Sequence, residues 1–389
     1  MTTQDQSADQ LTASLIAMYV IAEQELLSGA TTVLRRTAPT LEGRQGMVPK
    51  LRLLVRRILA RLAGSTSLAD AMISAATIEG RQAAHVAAST TLVRRSSASQ
   101  GGGGGRVPPG RSLASGSDGF FDLSMPHGER AAQAIRDDVV SELEDVRRRI
   151  TRLPDDIYKA IAPHGAIYQV VDNGVTPAQA QAMAWRVFAS QGVTGFTDKS
   201  GRDWSMSAYV EMAVRTASVR AFNSSHLDRM LALGIEYFTV PVTAHTCPQC
   251  FPWQGKVLTA VPVENPAVPV SGTIADAVAA GLWHPNCRHP LTAFFPGVTV
   301  LPEIRTWTPE DQRLYELTQR QRRLELEVRK AKRQLEYAAS PETAADARAR
   351  VRRAQAKVRE FVQETGFSRQ SRREQVDLSD PRIKLTIPR

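Results

Sequence analysis

The most reactive side chains of this 389-residue chain fall in two short stretches. The first is His245-Thr246-Cys247-Pro248-Gln249-Cys250, and the second is His284-Pro285-Asn286-Cys287-Arg288-His289. Thiolates and imidazoles are the donors a tetrahedral Zn²⁺ takes, and a CxxC turn presents two thiolates from a single knuckle. A second knuckle must close the shell, and HxxCxH brings three candidates for two places. Cys247, Cys250 and Cys287 are the natural thiolates. The fourth ligand is His289 or His284; the reading leans to His289, because His284-Pro285 can instead support the turn, and His245 is a weaker candidate. A closed Cys₃His shell leaves no position for water, so zinc here is expected to be structural.

Other chemistries fit less well. A redox CxxC belongs in a thioredoxin-like βαβ setting, which this sequence lacks. There is no HExxH. His127-Gly128-Glu129 echoes the HxE…PCxxC pattern of zinc deaminases, but Thr246 stands where the proline should and the spacing is far too long. Three cysteines do not make a disulfide framework. The run Gly101–Gly105 has no preceding strand and no Lys-Ser/Thr, so it reads as linker and not as a phosphate loop.

The elements that must position these groups are mostly helical. Leu15, Tyr19, Ala22, Leu26, Ala30 and Val33, then Leu51, Leu54, Ile58 and Leu62, recur at helical spacing. Ile135, Val139, Leu143, Val146 and Ile150 form another stripe. Thr176-Pro177-Ala178-Gln179 supplies an N-cap, a proline and a capping-box partner. Tyr209, Met212, Thr216, Val219 and Phe222 mark a helix that Gly234 ends. From Ile235 to Val300 the chain turns Pro- and Gly-rich, with a β-prone run at Tyr237–Val240 and a short helical turn near Ile274–Ala280. A segment with so little core needs another source of stability. Thr308-Pro309 opens a heptad helix along Leu314, Leu317, Gln321, Leu324, Val328, Ala331, Leu335 and Ala338. Ser340-Pro341 opens a second, ending near Gly366, so the pair makes a coiled-coil-like antiparallel hairpin. The expected organisation is a helical domain over 1–95, a flexible linker over 96–118, a helical domain over 119–235, a zinc-knuckle domain over 236–300, the hairpin over 301–366 and an extended basic tail over 367–389. The fold class is mainly α, with a small irregular β/loop domain around the cysteines.

Composition sets the outer limits. Apolar residues make up 42% and charged residues 23%, which excludes wholesale disorder. No run approaches the ~20 apolar residues of a spanning helix, and the first residues do not read as a secretory signal, so the expectation is a cytosolic product with no membrane partner. The net charge is +10, carried by 49 Lys+Arg against 39 Asp+Glu. Arg322, Arg323, Arg329, Lys330, Lys332, Arg333, Arg352, Arg353, Lys357 and Arg359 stud the hairpin, a candidate surface for nucleic acid or a protein partner. The alternative to a structural protein is a zinc-stabilised nucleic-acid-processing enzyme such as an HNH-like nuclease, for which Asn286 and His289 are too few residues.

At Cys250-Phe251-Pro252-Trp253-Gln254-Gly255-Lys256 and Gly281-Leu282-Trp283-His284-Pro285-Asn286-Cys287-Arg288-His289 the sequence resembles the minor capsid protein 2 family of tailed phages, relatives of the Mu F-like head morphogenesis proteins. The likeness extends upstream through Gly201-Arg202-Asp203-Trp204 and downstream through Arg329-Lys330-Ala331-Lys332-Arg333 and Gln363-Glu364-Thr365-Gly366. The resemblance implies a non-enzymatic virion protein, few in copies, present in the host cytoplasm during assembly and then on the capsid interior. It would act at the portal vertex in head morphogenesis and DNA packaging, with the portal protein and other capsid proteins as partners and packaged DNA as a further contact.

Overall fold

The computed structural model describes residues 6–99, 126–161, 176–193, 196–197, 203–243, 246–287, 289–303 and 305–376. The glycine run, His245 and the end of the basic tail lie outside the described residues. The fold is mainly α. Its helices are α1 (Ala8–Arg35), α2 (Leu41–Arg61), α3 (Ser65–Ser99), α4 (Pro126–Ile161), α5 (Pro177–Gln191), α6 (Met206–Ala232), α7 (Ile274–Ala279), α8 (Pro309–Glu336) and α9 (Pro341–Thr365). The short strands are β1 (Phe196–Thr197), β2 (Asp203–Trp204), β3 (Tyr237–Thr239), β4 (Val257–Thr259) and β5 (Thr292–Ala293). Helix α3 therefore continues to Ser99, into the first residues assigned to the linker. By length and composition α1 is apolar enough to cross a membrane, and 61% of its apolar window is buried inside the structure.

The described chain forms two compact units, each assembled from three separated stretches. One comprises Ala13–Leu68, Val140–Glu211 and Glu316–Arg389. Leu15, Tyr19, Leu26 and Leu27 of α1 are fully buried in it, as are Met47, Leu51 and Ile58 of α2 and Leu143, Val146 and Ile150 of α4. Thr176 caps α5 through the reciprocal capping box with Gln179 that the sequence motif requires. This places Trp185 in the core, where its indole N–H donates to the Tyr337 carbonyl at 2.9 Å and lies 3.2 Å from Thr31 Oγ1. Ser340 caps α9 over Pro341, and Gly366 ends it in the left-handed conformation (φ 71°). Arg320 lies over the Phe361 ring and 3.7 Å from Glu364, so α8 and α9 run antiparallel. Gly192 (φ 81°) is sterically required: a Cβ there would lie 2.5 Å from Glu23 Oε1.

The described part of the basic tail is not extended. Ser371–Glu374 form a 3₁₀ turn against α8, because Gln321 Nε2 donates to the Ser368 carbonyl and Arg329 donates to that of Arg373. Glu374, buried there, is held by two 2.6 Å bonds from Arg369.

The other unit comprises Met1–Thr12, Ala69–Val139 and Met212–Tyr315. Its antiparallel sheet has the order β4-β3-β5, with Phe238 opposite Leu258 on one side and Ala293 on the other. Period-two alternation sends these three to one face, where they join Ala84 and Ala88 of α3, Met230 of α6, Ile274 and Ala277 of α7, and Cys250 and Cys287. Tyr237 and Val257 point to the opposite face and pack with Phe294. Thus the cysteines belong to the core that the sheet and helices share.

Candidate metal centre

Two four-residue turns, each closed by a hydrogen bond from its last residue to its first, carry the cluster. In Cys247-Pro248-Gln249-Cys250 the Cys250 N–H donates to the Cys247 carbonyl at 3.2 Å; in His284-Pro285-Asn286-Cys287 the Cys287 N–H donates to the His284 carbonyl at 2.9 Å. Asn286 takes φ 67°, the sign that the third position of a type II turn requires, and Pro285 presets the second. The outcome is that His284 stands in the second knuckle where Cys247 stands in the first.

The five predicted donors fall into two groups of three that share Cys250. The ligand atoms of Cys247, Cys250 and His284 lie within 4.8 Å of one another, as do those of Cys250, Cys287 and His289. Cys250 belongs to both groups. Its sulfur is 3.7 Å from that of Cys287, while Cys247 Sγ is 3.1 Å from His284 Nε2 and Cys287 Sγ is 3.2 Å from His289 Nδ1. A tetrahedron with Zn–S bonds of 2.3 Å has S···S edges of ~3.8 Å, so the Cys250–Cys287 pair fits a zinc ion.

Hydrogen bonding from Cys250, and then from an imidazole, holds the Cys247 and Cys287 thiols well below the ordinary thiol range. Cys250 is pushed up because it shares its proton with both and is buried. The Cys247 thiolate raises His284 to about 9. Protons on Cys250 and His284 thus offset two thiolates, a balance that a divalent ion would replace.

Sequence reasoning missed the residues around the cluster. Gln254, from the WQGK stretch, places its amide nitrogen 2.6 Å from His289 Nε2, 3.0 Å from the Thr246 hydroxyl and 3.1 Å from that of Thr243, three neighbours for two N–H hydrogens. The His289 carbonyl accepts from Trp283 Nε1 at 3.0 Å and Asn223 Nδ2 at 3.3 Å. An amide between two apolar neighbours in an aromatic-Gly turn was the available signal for Gln254.

Of the basic residues assigned to a surface, Arg322, Arg323, Arg352, Arg353, Lys357 and Arg359 are exposed, whereas Arg329, Lys330 and Lys332 are half-buried. Lys332 is engaged by Gln375 at 2.9 Å. Arg333 does not belong to the surface: it is 4% exposed and pairs with Glu23, because the core needs a cation opposite that carboxylate.

A helical scaffold with a double-knuckle thiolate–imidazole cluster and a basic antiparallel hairpin is the arrangement that comparison with other proteins then places. The chain belongs to the phage minor capsid protein 2 family, whose family model matches residues 129–363 and so includes both the cluster and the hairpin. It is also 31% identical over 184 residues to a structural protein of Lactococcus phage LL-H, an alignment covering 45% of this chain and 49% of that protein. The chain therefore spans about half the length of this curated relative. No solved structure matches significantly.

Proposed function

We propose that this chain is a minor structural component of a phage head, without enzymatic activity, acting at the portal vertex on the capsid interior during head assembly and DNA packaging. The observation that carries this reading is membership of the minor capsid family over a stretch holding both the cluster and the hairpin. Before assembly it resides in the host cytoplasm. Zinc, held by Cys247, Cys250, Cys287 and one imidazole, would supply a cross-link worth on the order of 10–16 kcal/mol to a segment whose strands are only two or three residues long. The knuckles fix the sheet; the hairpin presents Arg322, Arg323, Arg352, Arg353, Lys357 and Arg359 to the portal protein, to other capsid proteins or to packaged DNA. Toward DNA these residues act through counterion release, which is independent of sequence and weakens with salt.

Mass spectrometry of purified particles tests the reading, with a few copies per portal as the expected result. Absence from particles, or magnesium-dependent plasmid nicking that His289→Ala abolishes, would instead assign the chain to nucleic-acid processing.

A further inference from the structure

We propose that the outward stripe Arg348, Arg352 and Arg359 of α9 is the surface through which this chain holds double-stranded DNA, by its phosphates and without regard to sequence. This deepens the reading above, which leaves the partner of the hairpin open, and rests on it.

The excess charge of the chain lies in one of its two units. The three stretches of the unit that contains α9 hold 35 Lys+Arg against 23 Asp+Glu, whereas those of the other unit hold 14 against 16. A surplus confined in this way draws a polyanion to the unit that carries it.

The two helices of the hairpin use their cations differently. On α8 they are engaged within the fold: Arg320 lies over the Phe361 ring, Arg329 donates twice to the Arg373 carbonyl, Lys332 reaches Gln375 and Arg333 pairs with Glu23. On α9 the period of 3.6 residues separates two stripes. Glu342, Asp346, Glu360 and Glu364 share one, where Asp346 pairs with Arg186 and Arg350 and Glu364 lies 3.7 Å from Arg320. Arg348, Arg352 and Arg359 share the other, about 120° round the helix. All three are exposed, and none is among the ion pairs of the described residues.

The neighbours of this stripe decide between a protein and a nucleic acid. Ala345, Gln355, Ala356 and Gln363 surround the arginines, so no acid opposes them. No large apolar side chain of α9 is exposed either. A protein interface is organised around apolar or aromatic anchors inside a polar rim. Phosphates need no such anchor, and the arginine fork matches them. The stripe spans ~16 Å of helix axis, and a duplex carries one charge per about 1.7 Å of its own, so each guanidinium has a phosphate within reach.

The test is binding of the full-length chain to short duplexes of two unrelated sequences, read by fluorescence anisotropy across a salt series. The parent protein should bind both alike. In Arg348→Gln/Arg352→Gln/Arg359→Gln the slope of log affinity against log salt should shrink by about 2.7, because each lost phosphate contact removes about 0.9. Glutamine is close to arginine in helix propensity, and circular dichroism checks that α9 stays formed. The charge-matched variant Lys50→Gln/Arg56→Gln/Arg57→Gln, at exposed positions of α2, should keep the parent slope. An equal loss in both variants would show that net charge alone acts. An unchanged slope in the α9 variant, or no binding by the parent protein at low salt, would show that the stripe does not hold DNA. Any of these overturns the assignment. An α9 variant that binds duplex like the parent protein yet is missing from particles would give the face to a protein partner instead. Absence of the parent chain from particles removes the head-component reading and leaves the duplex result standing, so the two failures are told apart.

Discussion

Arg333 and Glu23 are 310 residues apart in sequence, yet their charged groups meet at 3.5 Å with each side chain 4% exposed. The same carboxylate accepts from the Val193 N–H at 2.8 Å and from the hydroxyl of Ser207. All three stretches of one compact unit therefore meet at a single buried anion. Removing one charge strands the other in a medium that cannot solvate it. Arg333→Met or Glu23→Gln alone should each cost about 3–5 kcal/mol, and the double variant less than the sum. Denaturant melts of the three variants supply the cycle, and strict additivity would show that the pair is not coupled.

Gly80 of α3 faces α6 so closely that a Cβ would lie 2.4 Å from the Phe222 carbonyl and 3.2 Å from the His226 amide nitrogen. The Gly80 carbonyl also lies 3.1 Å from His226 Nδ1. Alanine is better in a helix by about 1 kcal/mol, but backbone cannot yield as a flexible side chain can. Overpacking of this kind costs about 1–3 kcal/mol, so Gly80→Ala should be net destabilising. A melting temperature at or above that of the parent protein would show that the helices separate freely.

Much of this architecture was legible because its signals are local. Ser340-Pro341 and Gly366 bound α9, and Thr176-Pro177 with Gln179 opens α5, since caps are decided within a turn. The five predicted donors also fall into two groups sharing Cys250, because turn spacing fixes each knuckle. What stayed hidden depends on partners distant in the chain. Arg333 lies among cations on a helix that reads as solvated until Glu23 is brought to it. Gln254 and Thr243 carry no distinctive spacing, yet both lie within hydrogen-bond distance of His289 Nε2. Helix α6 buries Asn223, His226 and Arg229, polar groups that blur its apolar stripe. Likewise Arg369–Glu374 turns a basic tail into a strap that composition alone renders as extended.

The start of α8 should be sensitive to acid. Asp311 accepts from the Thr308 N–H at 3.0 Å, and Thr308 Oγ1 accepts from the Asp311 N–H at 3.2 Å, closing a capping box. Arg305, and then the Thr308 amide, hold the Asp311 carboxyl down at about 2. A depressed carboxyl contributes stability that is complete above its unfolded value of about 3.9 and is lost as pH falls through its folded value. Amide exchange at residues 308–312 should therefore quicken between about pH 4 and pH 2. In Arg305→Ala the change should be smaller and should end at higher pH, because only the folded value rises. An identical profile in both proteins would mean that Arg305 does not hold the carboxyl.

Cys250 is fully buried and belongs to both donor groups, whereas Cys247 is half-buried and belongs to one. Serine in place of Cys250 replaces a soft thiolate with a hydroxyl that zinc seldom takes, and it does so at the centre of the core formed with Phe238, Leu258 and Leu282. Cys250→Ser should lose bound metal entirely, and Cys287→Ser should behave alike. Hydrogen exchange should then rise across residues 236–300. The hairpin Pro309–Thr365 should stay protected, because Val328, Ala347, Val358 and Phe361 bury its seam without the cluster. Zinc content by elemental analysis, paired with exchange mass spectrometry, reads both halves of this expectation. Metal content and melting that match the parent protein would show that the two knuckles hold together through packing alone.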